Sequence, residues 1–263
     1  MKEQRAYGIE LKWLSVTCFE IKFDETTVVT DPFITESVTT DLTWEAIDAC
    51  DIITLSHTHW DHITDIPRLM GKFSPKLLAG ELSTMPLAKW LDCNPTMLYP
   101  MSPNLELDFG DVKIRALFGR HSNLHRNYSE AIEWTQSEPV VSGNVMLEKL
   151  QTYGITEYRN YLFTAANGTK VLIWGSDLSK DQRNLLKQLQ PDIAILQYAK
   201  YSAADTAEFA AAIGCKILIP HHMDLRLTSE EYWPRIVELE REFMSRVPDS
   251  RFVAPQRNTW MQL

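Results

Sequence analysis

The chain has 263 residues, of which 44% are hydrophobic and 23% charged, and its formal net charge is −9. This composition is typical of a globular protein, so we expect residues 1–263 to form one domain, and the acidic charge disfavours a nucleic-acid partner. No apolar run approaches the roughly 20 residues of a membrane helix, and no signal peptide is visible, which predicts a cytoplasmic protein without an integral membrane segment.

The first third of the chain predicts β-strands, because apolar and polar residues alternate there. The pattern places strands over residues 9–14, 18–23 and 27–30, with a hairpin turn at residues 24–25. Residues 66–70 and 85–91 favour helices, and residues 77–79 a short strand between them.

A second set of strands begins around the turn at residues 109–111. Further strands are predicted over residues 105–107, 112–117, 158–163, 171–174, 193–196 and 216–219. Helices are predicted over residues 180–190 and 203–213, and from a first turn containing Pro234 to about Met244. Two strand-rich halves, each followed by helices, predict two sheets face to face with helices outside. Residues 122–157 lack clear periodicity, and we expect a lid or an insertion there.

Metal-binding side chains are densest in residues 56–62. His57, His59, Asp61 and His62 follow directly on the apolar residues 51–55. A strand that ends in a turn can aim His57 and His59 at one point, while the turn lets Asp61 and His62 face another. The spacing therefore predicts two neighbouring metal ions.

Three later positions also follow apolar runs directly: His121, Asp177 and the pair His221 and His222. Each position taken singly is weak evidence, because Asp and His after a strand often serve only as caps or turn residues. Together they complete a ligand set of nitrogen and oxygen donors. The four cysteines are scattered without a Cys-x-x-Cys pair, which argues against a thiolate zinc site and a disulfide framework.

Residues 57–62 match in full the His-x-His-x-Asp-His signature of the metallo-β-lactamase superfamily, and the later His, Asp and His follow in order. The resemblance covers essentially the entire chain and is closest to the branch that contains ascorbate-6-phosphate lactonase and N-acyl phosphatidylethanolamine phospholipase D. It implies an α/β fold, a four-layer αββα sandwich with the metal site at one rim of the two sheets. Residues 14–17 depart from the branch, whose members carry a Gly-His or similar pair after the first strand.

The resemblance also implies a ligand set for two divalent ions. The implied ligands are His57, His59 and His121 for one ion, Asp61, His62 and the terminal His for the other, and Asp177 as the bridge. The Pro-x-His spacing of the branch selects His222 as the last ligand, whereas the residues alone leave His221 open. Nitrogen and oxygen donors favour zinc, while manganese, iron and nickel remain open.

Two such ions would supply a metal-bound hydroxide that cleaves an ester, lactone or phosphoester bond of a small, anionic metabolite. Asp61 is the candidate for taking up or relaying the proton. Asp31 could orient a ligating imidazole from behind, or could simply be a turn residue before Pro32, and His221 is a second candidate for a supporting neighbour.

Four further polar residues are candidates for binding an anionic group of the substrate: Arg120, His125, Arg126 and Lys200. Solvated surface side chains are an equally good reading of the two arginines and of His125. The alternatives to a small-molecule hydrolase are a nucleic-acid-processing hydrolase of the same superfamily and a metal-binding protein without hydrolytic activity. The sequence leaves the oligomeric state open, a homo-oligomer included.

Overall fold

The computed structural model of the chain describes residues 7–121, 130, 145–198, 200–225 and 229–263. These residues form two seven-stranded sheets that pack face to face, with helices on the outer side of each sheet. The predicted α/β four-layer sandwich is therefore confirmed.

The first sheet combines an antiparallel half with a parallel half. Its strands are β1 (Ile9–Ser15), β2 (Cys18–Phe23), β3 (Thr26–Thr30), β4 (Ile52–Thr54), β5 (Lys76–Ala79), β6 (Leu98–Pro100) and β14 (Trp260–Gln262). In space they follow the order β14-β1-β2-β3-β4-β5-β6, antiparallel up to β3 and parallel from β3 to β6. Its outer side packs against helices α1 (Trp60–Ile63), α2 (Ile66–Phe73), α3 (Glu81–Leu91) and α4 (Val145–Thr156).

The second sheet has the same mixed character. Its strands are β7 (Glu106–Asp108), β8 (Val112–Gly119), β9 (Tyr158–Ala165), β10 (Lys170–Trp174), β11 (Ile193–Gln197), β12 (Ile217–His221) and β13 (Arg251–Phe252). The order is β13-β12-β11-β10-β9-β8-β7, parallel from β13 to β10 and antiparallel from β10 to β7. Helices α5 (Lys180–Leu189), α6 (Ala203–Ile213) and α7 (Ser229–Arg246) cover its outer side.

The alternation of side chains along β10 shows how the layers are held together. Val171 and Ile173 point into the core between the sheets, whereas Leu172 and Trp174 pack against the helices of the second sheet. Successive side chains of a strand face opposite ways, so an apolar residue at every position indicates a strand covered on both faces. Both sheets thus bury two faces each.

Strand direction brings the predicted metal ligands to one rim. β8 is antiparallel to β9, which is antiparallel to β10, so β8 ends at the same edge as β10, β11 and β12. In the first sheet the parallel strands β3 and β4 also end together. The segments that follow these strands carry the ligands predicted from the sequence.

The starts of two helices were predicted wrongly, and each of these helices has a proline in its interior. α7 begins at Ser229, so Pro234 lies inside it rather than in its first turn, and α3 begins at Glu81 with Pro86 inside it. Proline removes one backbone hydrogen bond and disfavours helical continuation. Burial of the side chains of Leu239 and Phe243 in the core outweighs this local preference in α7.

The state of the cysteines and the apolar character of the helices were both predicted from the sequence. The four cysteines are free thiols, as expected for a protein without a disulfide framework. Among the helices that the structure describes, none combines the length and the apolar character needed to cross a bilayer.

Candidate metal centre

The one-turn helix α1 divides the histidine-rich segment into two parts. His59 still has an extended backbone (φ −69°, ψ 151°), and its carbonyl accepts a hydrogen bond of 3.0 Å from the amide of His62. The chain therefore turns between His59 and His62. This turn separates Asp61 and His62 from the two histidines that precede it.

The candidate ligand atoms form two groups, which we call the first and second triplets. The first triplet is His57, His59 and His121, and the second is Asp61, His62 and His222, with the ligand atoms of each triplet within 4.8 Å of one another. The rings of His57 and His62 lie only 4.1 Å apart between centroids, so the two triplets adjoin. Three imidazoles, or two imidazoles and a carboxylate, are donor sets that zinc and similar divalent ions accept.

Two histidines of the first triplet, His57 and His59, each have a buried ring nitrogen without a hydrogen-bond partner among the described residues. Nε2 of His57 and Nε2 of His59 are buried and have no hydrogen-bond partner among the described residues, which is uncommon for buried polar atoms. Burial lowers the pKa of His57 and His121 well below the ordinary value, and it lowers the pKa of His59 to about 4. Neutral rings with available lone pairs fit a divalent metal ion.

The second triplet contains an anion and a polarised histidine. Nε2 of His62 lies 3.7 Å from Oδ1 of Asp61, and its Nδ1 lies 2.9 Å from Oδ2 of Asp31. Burial disfavours the protonated form of His62, but the carboxylates of Asp61 and Asp31 outweigh this effect and raise its pKa. Burial likewise opposes ionisation of Asp61, but the charges of His62 and His222 prevail and lower its pKa. Asp61 is therefore a carboxylate at neutral pH.

Asp31 and Ser56 orient the rings of both triplets from behind. Oδ1 of Asp31 accepts from the Ser56 amide at 2.7 Å, and Oδ2 accepts from the Ser56 hydroxyl at 2.6 Å. The same hydroxyl lies 2.9 Å from Nδ1 of His57, while Oδ2 of Asp31 reaches His62. A hydrogen bond to the second ring nitrogen fixes the orientation and tautomer of a ligating histidine. Asp31 thus lies against His62, and Ser56 lies between Asp31 and His57.

Asp177 follows β10 and is not a member of either triplet. Its Oδ1 is buried and has no hydrogen-bond partner among residues 7–121, 130, 145–198, 200–225 and 229–263. Its charge acts with burial to raise the pKa of Tyr201 to about 12, burial being the larger cause. The carboxylate therefore has a free oxygen that could accept a metal ion.

The buried side chain of Asn160 on β9 connects the strand ends that lead to His121 and Asp177. Its Nδ2 donates to the Ser176 hydroxyl at 2.9 Å, and its Oδ1 accepts from the Gly175 amide at 2.8 Å. The Ser176 hydroxyl also accepts a hydrogen bond of 2.9 Å from the backbone amide of Arg120, the residue before His121. One amide side chain thereby fixes the spacing between the ends of β8 and β10.

Residues 10–222 match the model of the beta-lactamase superfamily domain, which spans most of the chain. The chain belongs to the metallo-β-lactamase superfamily. A UPF0173 metal-dependent hydrolase of Geobacillus thermodenitrificans is 27% identical over 227 residues, which cover 84% of this chain and 85% of the relative. Such relatives place this superfamily member among the metal-dependent hydrolases.

Two solved structures share the fold of this metallo-β-lactamase superfamily member. Igni18, a metallo hydrolase of Ignicoccus hospitalis, has a TM-score of 0.71 at 13% identity, and the match covers 97% of this chain and 98% of Igni18. CmlA, a diiron beta-hydroxylase of Streptomyces venezuelae, has a TM-score of 0.66 at 11% identity, with 99% of this chain and 55% of CmlA covered. These likenesses show the fold alone, and the reaction must be argued from the site.

His221 and Arg120, two further residues predicted from the sequence, are not members of either triplet. Nε2 of His221 lies 3.2 Å from the Trp174 carbonyl rather than against a ligating side chain, and His222, not His221, belongs to the second triplet. Arg120 is exposed, with its guanidinium 5.9 Å from the centre of the Phe118 ring.

Lys200 lies near enough to the first triplet for its charge to act on two of the histidines. It is half-buried, and its charge contributes to the lowered pKa of His59 and His121, after burial as the main cause. His125 and Arg126 lie outside the described residues. Of the segment expected to be a lid or insertion, residues 145–156 form α4, while residues 122–129 and 131–144 lie outside the described part.

Two residues that contact the first triplet were not identified from the sequence. The ring of Tyr158 stacks on His57, with centroids 4.8 Å apart and an interplanar angle of 29°. Gly154 of α4 lies against His59. Tyr158 reads only as an aromatic strand residue, whereas a glycine inside a helix is unfavourable and could have signalled a close contact.

Proposed function

We propose that this metal-dependent hydrolase holds two divalent ions and cleaves an ester, lactone or phosphoester bond of a small, anionic metabolite. The observation that carries the proposal is the pair of adjoining triplets, whose rings approach to 4.1 Å between His57 and His62. In this proposal each triplet would hold one ion and Asp177 would offer its carboxylate to both, with zinc as the favoured metal for nitrogen and oxygen donors.

The bound ions would activate a water molecule and polarise the bond that it attacks. The chain's own contribution includes Asp61, which is ionised and whose side chain is 19% exposed. Asp61 accepts a proton from the attacking water and passes it to the leaving oxygen, while the hydroxyl part joins the acyl carbon or the phosphorus. Because the water supplies both parts, no nucleophilic side chain is required.

Lys200 supports an anionic substrate. The formal net charge of the chain is −9, which repels anions, and a cationic side chain beside the centre favours binding of one there. The Lys200 ammonium lies close enough to His59 and His121 to disfavour their protonated forms. A phosphate or carboxylate beside the cleaved bond would meet this charge.

The proposal is tested by elemental analysis of the purified protein together with a panel of ester, lactone, phosphoester and amide substrates. We expect two metal ions per chain and hydrolysis of at least one small anionic substrate. His59→Ala and Asp177→Ala should lose metal and turnover together. Asp41→Ala removes an exposed carboxylate and serves as the matched control. Full turnover in a metal-free His59→Ala variant would contradict the proposal.

Lys200→Met tests the substrate class separately. For an anionic substrate we expect KM to rise about tenfold or more, because one close ionic contact is lost. For a neutral ester of similar size KM should stay the same, and the metal content should not change. An equal effect on both substrates would show that Lys200 does not select for charge.

A further inference from the structure

The segment at the end of β12 forms hydrogen bonds with both the amide and the carbonyl of Val16. Val16 lies in the buried turn between β1 and β2 and has a left-handed backbone, with φ 45°. Its carbonyl accepts a hydrogen bond of 3.1 Å from the amide of His222. Its amide donates to Oδ2 of Asp224 at 3.1 Å. His222 and Asp224 therefore bind the two peptide groups that flank the α-carbon of Val16.

Arg257 holds Asp224 in place from the C-terminal part of the chain. Its Nη2 donates to Oδ2 of Asp224 at 3.0 Å, and its guanidinium stacks 4.6 Å above the Trp13 ring. Thr39 donates to the same oxygen at 2.9 Å. The Asp224 side chain is only 5% exposed and that of Arg257 23%, so this ion pair is largely shielded from solvent. Shielded, hydrogen-bonded ion pairs of this kind have a defined geometry.

The backbone of His222 needs such a restraint. Its φ is 60°, in the left-handed region that is unfavourable for a residue other than glycine. A conformation of this kind persists only where the surroundings impose it. The bonds that His222 and Asp224, on either side of Met223, form with Val16 restrain this turn.

We infer that Asp224 and Arg257 are positioning residues for the second triplet, and that they act through Val16 to fix the direction of the His222 imidazole. The inference rests on the proposed two-ion function. It concerns one half of the centre, because His222 of the second triplet comes at the end of β12, whereas all three members of the first triplet come after β4 or β8. Loss of the Asp224–Arg257 pair should therefore weaken binding of the ion at the second triplet and leave binding at the first triplet unchanged.

The test is a titration of metal-free protein with Co²⁺, followed by the visible absorption of the bound ion. The wild type should bind two equivalents. Arg257→Met should bind the first equivalent with unchanged affinity and spectrum, and the second about 10 to 100-fold more weakly, as for other residues that orient a ligand. Arg257→Lys keeps the charge but not the two-nitrogen fork. Its affinity for the second equivalent should lie between those of the wild type and of Arg257→Met. Asp224→Asn keeps the shape of the side chain and should resemble Arg257→Met.

The matched control is Arg251→Met, since the guanidinium of Arg251 donates an exposed hydrogen bond to the Gln262 carbonyl. It should bind both equivalents as the wild type does. If Arg257→Met lowers the thermal stability of the metal-free protein but binds both equivalents normally, or weakens both equally, the inference is overturned and the pair is only a structural anchor. If Arg257→Met fails to fold, Asp224→Asn and Arg257→Lys decide by the same criteria. A wild type that binds no Co²⁺ would instead overturn the proposed function, and the inference with it.

Discussion

Gly154 and His59 are in such close contact that no side chain fits between them. A β-carbon added to Gly154 would lie 2.5 Å from Cδ2 of His59 and 3.0 Å from its backbone nitrogen. Rotation of the imidazole alone cannot relieve the second contact. The helix α4 therefore packs on the first triplet through its backbone, and a glycine is needed at this point.

Gly154→Ala should displace His59 and weaken binding of the ion at the first triplet by about 10 to 100-fold. Titration of the metal-free variant with Co²⁺ measures this effect. Gly71→Ala is the control, because Gly71 also lies in a helix and a β-carbon there meets nothing within 4 Å. That control should keep its metal affinity and gain up to about 1 kcal/mol of stability. Unchanged metal binding in Gly154→Ala would show that α4 yields at this contact.

Asp31→Asn should impair both triplets while leaving the shape of the side chain unchanged. The amide replaces an acceptor with a donor, so one of the groups now bonded to Asp31, the Ser56 hydroxyl or Nδ1 of His62, loses its partner. We expect metal affinity to fall about 10 to 100-fold, with the free energy of unfolding lower by about 1–3 kcal/mol.

Metal titration and urea unfolding of the Asp31→Asn protein measure the two effects separately. Asp51→Asn is a suitable comparison, since Asp51 accepts a backbone hydrogen bond from Thr27 at the opposite end of β3. It should lower stability without lowering metal affinity. Equal metal affinity in both variants would mean that Asp31 only shapes the turn.

Asn160→Asp should reduce turnover more than it reduces stability. The substitution keeps the acceptor for the Gly175 amide but removes the donor to the Ser176 hydroxyl, and so loosens the link between the ends of β8 and β10. His121 and Asp177 follow these ends, and a displacement of about 1 Å can cost about 100-fold in rate. We expect kcat to fall about 10 to 100-fold, with KM changed much less. Steady-state kinetics with metal-saturated protein provide the measurement, and a variant with wild-type kcat would exclude this role.

The sequence contains enough local information to predict how the ligands are divided. Strand alternation aims His57 and His59 together, and a turn after a strand redirects Asp61 and His62. The assignment of His121 and His222 was implied by the family resemblance and not by spacing. The structure separates the two pairs within residues 57–62 in the predicted way. Neighbours in the chain determine this geometry, which is why residue spacing was sufficient.

Contacts between distant segments could not be predicted in this way. Tyr158 reaches His57, and Asn160 reaches Ser176, only because β9 pairs between β8 and β10. Neither residue type at these positions has a metal-binding signature. The prediction that Pro234 lies in the first turn of α7 was wrong for a related reason. Packing of α7 on the second sheet outweighs the local preference of proline for helix starts.

The free energy of unfolding of the metal-free protein should fall as the pH falls below about 6.5. Burial lowers the pKa of His59 to about 4 and that of His221 to about 3, whereas in the unfolded chain both have ordinary values near 6.5. Between these limits the unfolded state binds protons that the folded state does not, so each such histidine costs about 1.4 kcal/mol per pH unit as the pH falls. The raised pKa of His62 has the opposite sign, since its contribution is complete below 6.5 and is lost only as the pH rises above it.

Urea unfolding of the metal-free protein at pH values between 8 and 5 checks this prediction. His59→Gln removes one of the buried titrating groups, so its stability should fall less steeply with acid, by about one proton. Addition of Zn²⁺ should raise the stability of the wild type without removing the slope, because a bound ion keeps the rings of the folded protein neutral while the unfolded chain still takes up protons. A slope that is the same in the wild type and in His59→Gln would show that His59 titrates normally in the folded protein and that burial does not keep the first triplet neutral.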